Sequence, residues 1–106
     1  NDTMIGGLGD DTYIVDSASD VVTEASSAGT DTIQTTLATY TLASLTNVEN
    51  LTFTGSGNST LTGNTLNNIL TGNAALNNLS GSDGNDTLSA RKSTILSRYI
   101  ICLPLT

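Results

Sequence analysis

The first residues that could do chemistry form a glycine-rich turn near the start of the chain. It reads Gly6-Gly7-Leu8-Gly9-Asp10-Asp11 and continues into Thr12-Tyr13-Ile14. The glycines permit the positive φ values of a tight turn and leave carbonyl groups exposed beside the Asp11 carboxylate. Calcium prefers such hard oxygen ligands and takes about six to eight of them. One turn supplies only part of this number, so we expect a second turn to supply the rest.

Charge and composition exclude several other kinds of site. All ten acidic residues lie within residues 1–90 and all three basic residues follow them, so this part has a net charge of −10. Such a chain repels nucleic acid and anionic membranes, and no apolar run approaches the ~20 residues of a membrane span. Histidine is absent and Cys102 is the only cysteine, which argues against histidine catalysis, structural zinc and an internal disulfide. We therefore predict that the segment is not an enzyme.

A period of nine residues organises the second half of the chain. It is carried by evenly spaced leucines and glycines: Leu61, Leu70, Leu79 and Leu88, and Gly63, Gly72 and Gly81. A unit that begins with a glycine turn and ends with a leucine between small polar residues predicts a turn followed by a very short strand. Two units would make one 18-residue coil. In such coils Asn68 stacks on Asp86 and Ser59 on Asn77, so that side chains can hydrogen-bond along each row.

The glycine-rich turn matches every defining position of the pattern G-G-x-G-x-D-x-U-x. Residues 1–5 fit the end of a preceding unit, and Gly81 to Leu88 fit another, with Ser82 replacing the second glycine. At these residues the chain resembles the RTX (repeats-in-toxin, haemolysin-type) calcium-binding repeat family, over roughly residues 1–89. The resemblance implies an all-β fold, a right-handed parallel β-roll or β-helix of about five coils.

The resemblance also implies the calcium ligands. Carried over to the matching positions, it assigns carboxylate ligands to Asp2, Asp11 and Asp86 and carbonyl ligands to Gly7, Gly9 and Gly84. A strict 18-residue coil would place Gly29 beside Asp11 and Asn68 beside Asp86, neither of which is acidic. We therefore expect complete sites to need coils outside this chain, and residues 63–80 to bind little calcium.

The remaining segments are less regular. Alternating apolar and polar residues predict short strands at 21–23, 31–35, 40–42 and 50–54, although 38–48 could instead contain a helical turn. Residues 90–106 are basic and apolar and depart from the repeats. They are interpreted either as a cap on the open end of the stack or as sequence foreign to it.

From the resemblance we expect a secreted, extracellular segment, exported by a type I system and joined to neighbouring coils or domains of a larger protein. Its role would be calcium-triggered folding and structural extension. The alternative is a calcium-independent adhesive or glycan-binding β-helix, whose exposed Asn and Thr rows face a cell-surface polymer. Calcium titration separates the two, because only the first predicts a gain in β-structure.

Overall fold

The computed structural model describes residues 1–25, 29–90, 92–96 and 100–102, with side chains described up to residue 89. Every regular element in these ranges is a short β-strand, which confirms the all-β prediction. The strands are Thr3–Ile5 (β1), Thr12–Val15 (β2), Val21–Thr23 (β3), Thr32–Thr35 (β4), Thr39–Thr41 (β5), Asn50–Phe53 (β6), Ser59–Thr62 (β7), Ile69–Thr71 (β8), Leu76–Ser80 (β9), Thr87–Ala90 (β10), Lys92–Leu96 (β11) and Ile100–Cys102 (β12).

Successive strands alternate between two walls of a parallel β-solenoid of about five coils. One wall is a six-stranded sheet in the order β12-β10-β8-β6-β4-β2. The opposite wall has a four-stranded sheet, β11-β9-β7-β5, and a separate pair, β1-β3. All pairings are parallel, as a coiled chain that always returns to the same wall requires.

The core is a column of single apolar side chains. Strand register stacks five buried residues along the six-stranded wall: Tyr13, Ile33, Leu51, Leu70 and Leu88. Leu61 stacks on Leu79 across the other wall, and both are fully buried. The 18-residue coil predicted from the nine-residue period is thus confirmed, since Leu70 pairs with Leu88 and Leu61 with Leu79. Most strands supply one large apolar residue to the core, because only alternate strand residues face inward, while β2 and β6 each bury a second one, Val15 and Phe53.

The coils differ in length. Hydrogen bonds relate equivalent positions that are 18 residues apart between Asp31 and Glu49 and between Asn68 and Asp86. They are 20 residues apart between Asp11 and Asp31. The expectation that Gly29 lies beside Asp11 in the carboxylate row was therefore wrong. The two additional residues lie between the starts of β3 and β4, and they bring Asp31 into that position.

The segment between β5 and β6 forms turns rather than a helix. The Leu45 N–H donates to the Leu42 carbonyl and the Val48 N–H to the Leu45 carbonyl, each spanning three residues. Leu42 and Val48 are fully buried, so this irregular stretch still contributes to the core.

At the other end of the chain, β11 and β12 pair with β9 and β10, so the backbone of these strands continues the stack. The assignment of residues 90–106 as a cap stays a prediction. Within the described ranges, the chain has no helix of the length and apolar character that membrane crossing requires.

Candidate metal centre

The two glycine-rich turns adopt the left-handed backbone that their sequences predict. Gly7 and Gly9 have φ values of 80° and 100°, and Gly84 has 94°. Ser82, which replaces the second glycine of its unit, also takes a positive φ, 64°. The turn conformation is therefore kept at Ser82 despite the cost of the left-handed region for a residue with a Cβ.

At the end of each turn, a backbone N–H donates to the carboxylate of the equivalent residue in the next coil. The Asp11 N–H donates to Asp31 Oδ1 at 2.9 Å, and the Asp31 N–H donates to Glu49 Oε2 at 2.9 Å. The Asn68 N–H donates to Asp86 Oδ1 at 2.7 Å. These five residues form one row along the entrance to the six-stranded wall, which we call the carboxylate row. Three acids thus occupy adjacent positions at its start.

Glu24 approaches this row after the end of β3. Single carboxylate oxygens of Asp11, Glu24 and Asp31 all lie within 4.8 Å of one another. Asp31 is fully buried, whereas Asp11 and Glu24 are partly buried. Asp11 Oδ2 and Asp31 Oδ2 are buried and accept no hydrogen bond from any residue that the structure describes. We call these three residues the acidic cluster.

The surroundings of Asp31 oppose the ionisation of its carboxyl group. Burial raises the pKa of Asp31, and the nearby charges of Glu24 and Glu49 raise it further, although the bond from the Asp11 N–H lowers it. Burial also raises the pKa of Tyr13, as does its contact with Glu24. The Tyr13 hydroxyl therefore stays protonated and donates to Glu24 Oε2. Like charges crowded in a buried space favour the binding of a cation, which would compensate them.

The residues present fit a calcium ion. Carboxylate oxygens dominate the cluster, and residues 1–90 contain no nitrogen or sulfur ligand from histidine or cysteine. Gly6 leaves the space that the cluster occupies, because a Cβ at Gly6 would lie 2.7 Å from Asp11 Cγ. Asp11 is thus a sequence-predicted ligand whose acidic neighbours are partly or fully buried.

Asp2 lies in a second, more exposed group with Asp16 and Asp20. The Asp20 carboxylate accepts the N–H groups of Asp2 at 2.9 Å, Asp16 at 3.2 Å and Ser17 at 3.1 Å. The bond from Asp2 is the main reason that the pKa of Asp20 is lowered. This arrangement holds a turn together by itself, with the carboxylate already paired to backbone donors.

Gly84 and Asp86 lie at the other end of the described repeats. Asp86 is 1% exposed and lies next to Asn68 in the carboxylate row. Among the described residues, it belongs to no group of three acidic side chains. The structure therefore does not bring Asp86 together with Asp2 or Asp11.

The Asn-rich coils satisfy their turns with amide groups. Asn64 Nδ2 donates to the carbonyls of Leu45 and Val48 at 2.8 and 2.7 Å, and Asn68 Nδ2 donates to the Glu49 carbonyl at 2.8 Å. One turn further, Asn73 Nδ2 reaches the carbonyls of residues 55 and 57, both at 2.9 Å. In these coils the turn carbonyls accept hydrogen bonds from asparagine amides. In a calcium-binding turn, such carbonyls would instead bind the cation.

Glu24, Asp31 and Glu49 were missed by the sequence interpretation because it assumed a constant coil length. A signal for Asp31 was present, since an Asp-Thr-apolar triplet begins at each of four positions: Asp2, Asp11, Asp31 and Asp86. Glu24 and Glu49 carry no comparable motif. Their side chains reach the row from neighbouring parts of the coil, which only the fold brings close.

Comparison of the sequence with known proteins identifies its family. The chain is similar to the Endo-1,3-1,4-beta-glycanase ExsH of Rhizobium meliloti (strain 1021), with 53% identity over 57 residues. This match covers 54% of the chain and only 12% of the relative's length. No solved structure matches the chain. The model of the RTX calcium-binding nonapeptide repeat matches residues 1–22 and 53–88, in four copies and over more than half of the chain. The chain therefore belongs to the RTX calcium-binding nonapeptide repeat family.

Proposed function

We propose that the chain is a calcium-binding segment of a secreted protein, which folds when it binds the ion outside the cell. The observation that carries this proposal is the pair of buried oxygens Asp11 Oδ2 and Asp31 Oδ2, which accept no hydrogen bond from the described residues. Burying an ionised carboxylate without a partner is costly, and calcium compensates that cost. Its binding free energy then becomes free energy of folding.

The ligands we propose for the repeat turns are those of the family pattern. The carboxylates are Asp2, Asp11 and Asp86, and the carbonyl donors are Gly7, Gly9 and Gly84. Left-handed φ values at all three glycines support this assignment, since they belong to the turn conformation that exposes carbonyl groups. The Asp2 and Asp86 turns would be completed by further coils of a longer protein.

The segment would serve a larger protein by structural extension and calcium-dependent export. Extracellular calcium modules bind with Kd values of about 10⁻⁴ to 10⁻³ M, so the segment would stay unfolded in a calcium-poor cytosol and fold outside. The name glycanase describes the whole relative, and this chain matches only 12% of that protein's length. We propose that any such activity belongs to a different domain, because residues 1–90 provide acids without Lys, Arg or His.

Circular dichroism tests this proposal on a chain extended by neighbouring coils. We expect a large gain in β-structure between chelator and about 10 mM calcium, roughly tenfold above the weaker Kd of extracellular modules. An unchanged β-signal would reject calcium-triggered folding.

That result would favour a second candidate, a calcium-independent adhesive or glycan-binding β-helix. The amide-to-carbonyl bonds of Asn64, Asn68 and Asn73 support this candidate, since they satisfy turns without an ion. Its direct test is retention of the chain on immobilised β-glucan in the presence of chelator. If the chain folds with calcium but is not retained on β-glucan, the results support only the first proposal.

A further inference from the structure

Two members of the acidic cluster lie outside the residues that match the repeat family. The matched ranges end at residue 22 and resume at residue 53, so they contain Asp11 but neither Glu24 nor Asp31. Glu24 follows β3, and Asp31 precedes β4, at the end of the segment with two additional residues. The close approach of all three carboxylates therefore arises from the 20-residue coil rather than from a repeat turn.

An independent observation is that Asp31 has a buried carboxylate oxygen with no hydrogen-bond donor among the described residues. Its side chain is fully buried, its Oδ1 accepts the Asp11 N–H, and its Oδ2 accepts no hydrogen bond from the described residues. Residues 1–90 contain no basic side chain that could neutralise it. A buried acid of this kind needs either a proton or a cation.

We propose that Asp11, Glu24 and Asp31 together bind one calcium ion between the first two coils, with the Tyr13 hydroxyl holding Glu24 in place. This inference rests on the proposed function and adds to it two ligands that no repeat turn supplies. Three carboxylates without nitrogen or sulfur ligands suit calcium rather than zinc or copper. All three carboxylates come from this chain, so Asp11 does not require a further coil for its acidic neighbours.

Tyrosine-sensitised terbium luminescence locates the ion. Terbium binds the same hard oxygen ligands as calcium and emits when a nearby tyrosine is excited. Tyr13 contacts Glu24, whereas Tyr40 lines the same groove as Asp20, in the more exposed acidic group. Excitation of tyrosine should therefore yield terbium emission that Tyr13→Phe removes and Tyr40→Phe preserves. Calcium should displace the terbium and quench the emission.

The opposite result would overturn the inference. Emission lost in Tyr40→Phe but kept in Tyr13→Phe would place the ion at Asp2, Asp16 and Asp20. Emission that survives both substitutions would place the ion away from either group. Each result is read against calorimetry, which reports whether the variant still binds terbium.

Substitution of Glu24 and Asp31, the two ligands that the repeat turns do not supply, tests the site through its affinity for calcium. Asp31→Asn preserves the shape and the acceptor for the Asp11 N–H, while Glu24→Gln changes a partly exposed residue. Each should weaken calcium binding in calorimetry by about 10- to 100-fold, the range typical of losing a group that supports a metal site. Asp83→Asn is the matched control, because Asp83 is exposed and lies outside both acidic groups. It should leave the affinity unchanged.

The calcium dependence of folding separates an effect on binding from an effect on folding. Asp31→Asn and Glu24→Gln should both reach the β-signal of the wild-type chain, but at a higher calcium concentration, whereas a purely structural role would lower the β-signal that is reached in saturating calcium. Unchanged calcium affinity in both variants, with a loss in Asp86→Ala, would overturn this inference and leave the proposed function intact. A wild-type chain that binds neither calcium nor terbium would overturn both.

Discussion

Asp31 and Asp86 occupy equivalent positions in the carboxylate row but differ in their neighbours. Asp31 lies between Asp11 and Glu49, with Glu24 nearby, whereas the preceding neighbour of Asp86 is Asn68. An amide neighbour adds no charge, so it does not oppose a buried carboxylate as a second acid does. At the scale of single residues, the identity of the residue one coil away decides where a cation is needed.

Asp11→Ala should therefore weaken calcium binding by at least about tenfold, more than Asp16→Ala does. Asp11 ends a complete glycine-rich turn and has a buried oxygen that accepts no hydrogen bond from the described residues, whereas Asp16 is exposed. Calorimetric titration of both variants measures the difference. Equal losses of affinity would contradict the role of Asp11 as a ligand.

Gly9→Ala should lower the free energy of unfolding in saturating calcium by about 1–2 kcal/mol, the cost of a left-handed conformation for a residue with a Cβ. Nothing lies within 4 Å of a Cβ placed at Gly9, so this backbone term is the main effect. Gly57 has equally open space without a positive φ, and Gly57→Ala should be neutral or slightly stabilising. Denaturant unfolding measures the change in unfolding free energy for both variants. A similar loss at both positions would show that backbone conformation is not the cause.

At the scale of elements, the coils use two different means to satisfy their turns. The first two coils bring acids together, while the coil from Gly63 to Ser80 uses asparagine amides that donate to turn carbonyls. An amide satisfies a turn carbonyl without an ion, whereas clustered acids favour a bound cation. Both kinds of coil have short parallel strands over a buried apolar column, so the turns distinguish them.

The turns of residues 63–80 should accordingly contain no calcium in crystals grown with the ion. Their row positions hold Asn68 and Asn77, whose amide groups already donate to carbonyl oxygens. Anomalous scattering at a long wavelength detects calcium directly. A bound ion in either turn would refute this division of the coils.

Asn68→Ala should cost about 1–3 kcal/mol of unfolding free energy in saturating calcium, because it removes the acceptor of the buried Asn64 N–H and one of the two donors to the Glu49 carbonyl. Asn78 is exposed on a neighbouring strand and provides the control, with little change expected for Asn78→Ala. Chemical denaturation measures both. A neutral Asn68→Ala would mean that the amide contributes no net stability.

At the scale of the whole molecule, charge and a small core together limit stability. Residues 1–90 carry a net charge of −10, and each of the strands β1 to β10 buries at most two apolar side chains. Self-repulsion opposes compaction, and the modest burial offsets only part of the conformational entropy lost on ordering. Cation binding acts on both terms, since it reduces the charge and links adjacent turns.

Calcium should therefore compact the chain extended by its neighbouring coils, and magnesium should not. A chain of about 100 residues has a radius of gyration of about 13 Å when compact and about 30 Å when unfolded. Magnesium demands octahedral geometry and gives up its water reluctantly, which the flexible carboxylate cluster does not offset. Small-angle X-ray scattering in each ion measures the difference. Equal compaction by both ions would mean that charge screening, not a specific site, drives folding.

The sequence by itself determined the class of fold, the period and the ligand chemistry. Gly6 to Ile14 specify a cation-binding turn, and leucines nine residues apart specify strands with one inward-facing residue each, because both signals are local. The tertiary structure decided which turns meet. Two additional residues replace Gly29 with Asp31 beside Asp11, and the path of the chain after β3 brings Glu24 to them. Coil length depends on how a loop packs over the core, and a local repeat pattern does not encode that packing.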